Sequence, residues 1–275
     1  MSLTLPEPLY LQSLILSLSL LILSECKVIY LGSAIFKTAA SLSFFLGGLN
    51  KASPTLRELS SLGWSPAFSS DEGHRYALLM IVGLGFSVLG DVLLIPSKQE
   101  YHAFQEADMT KPNKGRNREG DSLAFKAGTL FFALAHISYI FAFAYSPKRV
   151  AFGWLRFTAS AGAGLLTSRW LGVFGTNTRT KGSVLAIPSD MEPLVRAYVT
   201  IISTMVGVAS ATDAGTQTTI GAWMFMISDM FVAVDTFGTS KPLAGKGSSS
   251  RPRWKFRSVG WAFYFFANFI LAGSI

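Results

Sequence analysis

Asp91 and Asp229 are the side chains best placed to do chemistry. Each carboxylate lies inside an apolar run, Met80 to Ile95 for Asp91 and Ala222 to Val234 for Asp229. Both runs are long enough to cross a membrane. An acid in a span is costly to desolvate, so it faces a bundle interior and marks a functional site. Two such acids in one chain offer a general acid and a general base.

Further polar residues fall inside apolar runs: Lys37, His136, Tyr139, Tyr198, Tyr264 and Asn268. Lys37 is the most informative, because an unpaired ammonium at mid-membrane is expensive. Its expected partner is one of the two aspartates. Pairing would keep that aspartate ionised and leave the other free to hold a proton, which separates base from acid. His136 and Tyr139 are three positions apart and share a helix face. His74 and His102 lie near span ends and read as solvated, and Asp235 is expected to reach the headgroups. The three histidines lie in different segments without ligand spacing. There is no Gly-x-Ser-x-Gly elbow and no phosphate-binding glycine loop. The reading is acid/base chemistry without a cofactor on a lipid-like substrate, or ion movement along a polar path.

The elements that position these residues read as an all-α, polytopic transmembrane bundle. Half of the residues are hydrophobic and 15% are charged, against about 25% in a soluble domain. The runs are apolar throughout rather than alternating, which excludes a membrane barrel. A net charge of +8 raises the question of nucleic acid. The basic residues lie between apolar runs without aromatic interleaving, so no nucleic-acid partner is expected. Cys26 is the only cysteine, which excludes an intramolecular disulfide.

About eight spans of roughly 20 residues are predicted, at 9–24, 28–49, 75–95, 123–145, 151–174, 193–212, 215–237 and 256–274. They form one domain over 1–275, with polar loops at about 96–122, 175–192 and 238–255. Ser24 to Lys27 reads as a tight turn. Arg156 and Arg169 interrupt the fifth span. Gly83, Gly85, Gly90, Gly162 and Gly164 would let helices approach closely. Lys111 to Gly120 reads as disordered, and Gly238 to Arg253 as a flexible connector.

Basic residues concentrate in the loops after spans 1, 3, 5 and 7: Lys27; Lys98, Lys111, Lys114, Arg116 and Arg118; Arg179 and Lys181; Lys241, Lys246, Arg251, Arg253 and Lys255. The opposite loops hold only Lys51, Arg57, Lys148 and Arg149. The positive-inside rule then places both termini on the non-cytoplasmic side. In a eukaryotic cell the expected membrane is an endomembrane such as the endoplasmic reticulum. Both aspartates fall in the cytoplasmic half, where one cavity would serve both if their spans are neighbours.

An ordered set of segments resembles the YhhN-like family of integral membrane proteins, the lysoplasmalogenases. These are Phe36-Lys37-Thr38, Gly85 to Leu94 with its Gly90-Asp91-Val92-Leu93-Leu94 end, Gly128 to Tyr139, Pro193 to Tyr198, Gly221 to Asp229, and Tyr264 to Asn268. Gly-Asp-Val-Leu-Leu and Phe-x-Ile-Ser-Asp are the most specific. The family typically has Lys-Pro at Lys37-Thr38 and Gln at Asn268.

The resemblance implies hydrolysis of the vinyl ether bond of a lysoplasmalogen, giving a fatty aldehyde and a glycerophospho-base. Asp91 and Asp229 would be the acid/base pair. Lys37 and His136 would tune them, and Tyr139, Tyr198 and Asn268 would line the headgroup end, with Tyr264 also in the substrate site. The implied partners are a lysophospholipid-like substrate and membrane lipids. Two other classes fit the same residues. A proton-coupled transporter or sensor would use the acids as a relay, although no inverted repeat is visible. A purely structural membrane protein would use them as helix glue.

Overall fold

The computed structural model describes residues 3–62, 71–102, 123–174, 184–212, 216–238 and 253–275. Eight long helices follow one another: α1 Pro8–Cys26, α2 Tyr30–Leu62, α3 Glu72–Leu93, α4 Leu123–Ala144, α5 Trp154–Leu171, α6 Glu192–Thr212, α7 Gln217–Phe237 and α8 Arg253–Gly273. They occupy the eight predicted runs. No strand occurs among the described residues; an isolated bridge joins Leu185 and Gly238.

Five helices, α1, α3, α4, α6 and α7, are long and apolar enough to cross a membrane. The chain is a multi-pass membrane protein. The remaining three, α2, α5 and α8, carry charges along their length, among them Lys37, Arg156 and Arg257. The α5 helix shows Trp154, Leu155, Leu166 and Trp170 on its outer face. Tryptophans at the two ends of an exposed apolar face suit the two membrane interfaces.

Six helices close a ring. In spatial order α2 packs on α3, α3 on α4, α4 on α6, α6 on α7, α7 on α8, and α8 returns to α2. The α1 helix flanks α2 and α8, and α5 flanks α6. Without a hydrophobic drive between helices in lipid, close packing of small residues holds such a ring. A Cβ on Gly83 would overlap the Tyr139 ring, and one on Gly90 would lie 2.8 Å from Phe132. These two glycines bring α3 against α4. Gly164 seats α5 on α6 and α7, where its Cβ would lie 2.8 Å from both Ser203 and Met226. Gly85 and Gly162 do not act this way. The nearest atom to a Gly85 Cβ is Phe45 at 3.6 Å, and nothing lies within 4 Å of one on Gly162.

Three sequence expectations change. The α2 helix continues past 49 through Pro54 to Leu62, because Ala52 and Leu59 are fully buried and anchor the extension. His74 is buried, with Nε2 3.3 Å from Glu58 and Nδ1 3.8 Å from Asp71; two acids at the α2–α3 junction replace the expected solvent. Asp235 pairs with Arg257 at 2.8 Å. His102 is exposed as expected. The stretch 111–120 and most of 238–253 lie outside the described residues.

Candidate functional site

One cavity of about 150 Å³ is walled by both aspartates, with Lys37, Tyr198 and Tyr264. The ring explains how they meet. Asp91 stands near the end of α3 and Asp229 two turns above the end of α7, with α2 and α8 on one side and α4 and α6 on the other. The α3 and α7 helices are not packed along each other; they face across the cavity.

Asp91 is buried and surrounded by donors. Ser41 Oγ and Tyr264 OH each donate to Oδ2 at 2.7 Å, and Lys37 Nζ lies 3.6 Å from Oδ1. The α2 helix supplies Lys37 and Ser41 from one face, four positions apart. Sequence reasoning did not single out Ser41. A serine in an apolar helix usually bonds its own i−4 carbonyl, and Ser41 Oγ also lies 3.1 Å from Lys37 O. Its spacing from Lys37 was the available signal.

Asp229 has a different shell. Tyr198 OH donates to Oδ2 at 2.5 Å, and His136 Nε2 lies 2.9 Å from that hydroxyl and 3.5 Å from the same carboxylate oxygen. The α4 helix brings His136 and α6 brings Tyr198. His136 is fully buried, edge-on to Phe225 at 4.6 Å between centroids.

Tyr139 and Asn268 stand behind the wall and do not line the cavity as expected. Tyr139 OH donates to Asn268 Oδ1 at 3.0 Å, and Asn268 Nδ2 donates to Tyr264 O at 3.1 Å. The close approach over Gly83 draws Tyr139 into the α3–α4 seam, away from the opening. Both are fully buried and support Tyr264 from behind.

The remaining wall is mainly apolar. Phe125, Leu171, Leu185, Met191, Val195, Val199 and Phe237 contribute to it. Leu185 and Met191 come from the segment expected to be a polar loop. Its backbone is tied down by Leu185 N to Leu171 O at 3.1 Å and Ala186 N to Phe237 O at 2.7 Å, and Lys126 pairs with Asp190 at 3.0 Å. A carboxylate pair opening onto such walls suits an apolar chain carrying one reactive polar group.

The sequence matches the YhhN family over residues 35–275. The chain belongs to the YhhN family. The match covers the ring from within α2 onward and every residue of the cavity named above. No curated protein and no solved structure matches it. In this YhhN protein a second polar cluster joins α1, α2, α7 and α8 where α1 and α7 end. Arg257 lies 3.5 Å from buried Glu25 and donates from Nε to Asp235 at 2.8 Å, and Tyr101 OH lies 3.3 Å from Ser33 Oγ. Burial pushes the Tyr101 phenol above its ordinary value, and Glu25 adds to that rise.

Proposed function

We propose that this YhhN protein is a membrane-embedded hydrolase of the vinyl ether bond in lysoplasmalogens. The observation that carries the reading is that two intramembrane carboxylates with unlike donor shells open onto one mainly apolar cavity. The family resemblance supplies the substrate class.

A vinyl ether is cleaved by protonating its β-carbon, which leaves an oxocarbenium ion. Asp229, held by a single hydroxyl donor among the described residues, takes the role of the neutral acid that delivers this proton. Asp91 meets two hydroxyl donors and an ammonium. That shell suits a carboxylate anion, so Asp91 faces the cation and takes a proton from the attacking water. The hemiacetal then separates into a fatty aldehyde and the glycerol hydroxyl of the glycerophospho-base. The proton taken from water returns to Asp229, which closes the cycle. The division of labour resembles the two-carboxylate logic of glycoside hydrolysis.

Lys37 holds Asp91 in place and stands where the substrate's phosphate would find a positive charge. The hydrocarbon chain lies along Leu171, Val195, Val199 and Phe237. The bias of basic residues toward the loops after α1, α3, α5 and α7 supports a cavity in the cytoplasmic half of the membrane.

The test compares three lysolipids with the same chain and headgroup: vinyl ether, saturated alkyl ether and acyl ester. Purified protein should release aldehyde from the vinyl ether alone, because only that lipid carries a carbon–carbon double bond next to the ether oxygen whose β-carbon can take the proton. Fatty-acid release from the ester, or no cleavage of any of them, would contradict the assignment.

A further inference from the structure

His136 is a fully buried histidine beside the cavity, and it does not reach the wall. Its Nε2 meets Tyr198 OH at 2.9 Å. Its Nδ1 is buried and has no hydrogen-bond partner among the described residues. The titratable groups in contact with the ring are Tyr198 from α6 and Asp229 from α7.

A hydroxyl has one proton to donate. Tyr198 gives its proton to Asp229 Oδ2 at 2.5 Å. Its oxygen must therefore accept from His136, which puts a proton on Nε2. The opposite direction would have Tyr198 donate to Nε2 and move the ring proton to Nδ1. That would bury an N–H with no acceptor, an arrangement rare in folded proteins. An imidazolium would leave the same orphan and add a buried charge. The chain of donors therefore runs one way, from His136 to Tyr198 to Asp229.

We infer that His136 is a fixed, neutral donor that orients Tyr198, and that the pair reserves Asp229 Oδ2 as an acceptor so that Oδ1 is its reacting oxygen. His136 is a positioning residue rather than a proton shuttle, since a shuttle needs a second proton site at Nδ1. The inference rests on the role given to Asp229 above. The acid proton sits on Oδ1, and Tyr198 keeps the carboxyl from rotating it away from the substrate.

Two experiments test this, and the first does not need turnover. With three histidines in the chain, nitrogen-15 histidine labelling of the detergent-solubilised protein resolves each ring, and His136→Gln assigns one of them. The expected spectrum shows His136 as the neutral Nε2–H tautomer under the assay conditions. An Nδ1–H tautomer, or an imidazolium, would overturn the inference.

The second experiment measures turnover. Glutamine places an N–H where Nε2–H stands but cannot titrate. His136→Gln should keep kcat within about 3-fold of wild type with the same pH profile. His136→Phe and Tyr198→Phe should lower kcat roughly 10-fold or more with little change in KM. Loss of a limb of the pH profile in His136→Gln, or equal losses in the Gln and Phe variants with both folded, would overturn it. An inactive wild type with the expected spectrum would sink the hydrolase reading and the choice of reacting oxygen, and leave the donor order standing.

Discussion

Lys37 Nζ lies 3.6 Å from Asp91 Oδ1, an ammonium and a carboxylate brought together from α2 and α3, both largely out of solvent. Neither charge is affordable alone in a membrane interior. Breaking one partner of a buried pair costs about 3–5 kcal/mol, whereas replacing both is often neutral. Lys37→Met should therefore lower stability by about 3–5 kcal/mol and abolish turnover. Lys37→Met with Asp91→Asn should recover most of the stability and none of the activity. Thermal midpoints in one detergent check this; a double variant no more stable than Lys37→Met contradicts it.

Ser41 and Tyr264 each give Asp91 Oδ2 a hydrogen bond. Hydrogen bonds to a charged group contribute about 1.5–3 kcal/mol. If Asp91 works as an anion, Ser41→Ala and Tyr264→Phe should each lower kcat/KM by roughly 10- to 100-fold. Steady-state kinetics on the vinyl ether lysolipid decides; wild-type rates in both variants would remove Asp91 from the chemistry.

Close packing at α3–α4 gives a prediction independent of function. Gly83→Ala drives a methyl into Tyr139 and should destabilise the protein by about 1–3 kcal/mol. Gly162→Ala meets open space and should leave the thermal midpoint unchanged. Equal effects would mean that the seam is looser than described.

Arg257 links Glu25 of α1 to Asp235 of α7. Arg257→Ala leaves Glu25 buried beside a lost cation and should destabilise by about 2–3 kcal/mol, because part of the arginine is exposed and screened. Arg257→Ala with Glu25→Gln should recover part of the loss, read again from thermal midpoints.

Much of this bundle was legible in the sequence because apolar length alone announces a span. The run 123–145 became α4 Leu123–Ala144, and 215–237 became α7 Gln217–Phe237. The extension of α2 was hidden, since Lys51, Pro54 and Arg57 look like loop residues while only Ala52 and Leu59 tie them to the core. Asp91 and Asp229 stood out because a carboxylate in an apolar run has no ordinary explanation. Ser41 did not, because a serine there has one. Tyr139 and Asn268 were visible as polar residues but not as members of a layer behind the wall, because that depends on which face Gly83 opens to the Tyr139 ring.

The most direct test of the account is aldehyde release from a lysoplasmenyl lipid by the purified protein, alongside Asp91→Asn and Asp229→Asn. Wild type should release aldehyde, and each variant, with its thermal midpoint retained, should fall by roughly 10²- to 10⁴-fold. Release that survives either substitution, or a wild type that releases none, would contradict the paired-aspartate hydrolase.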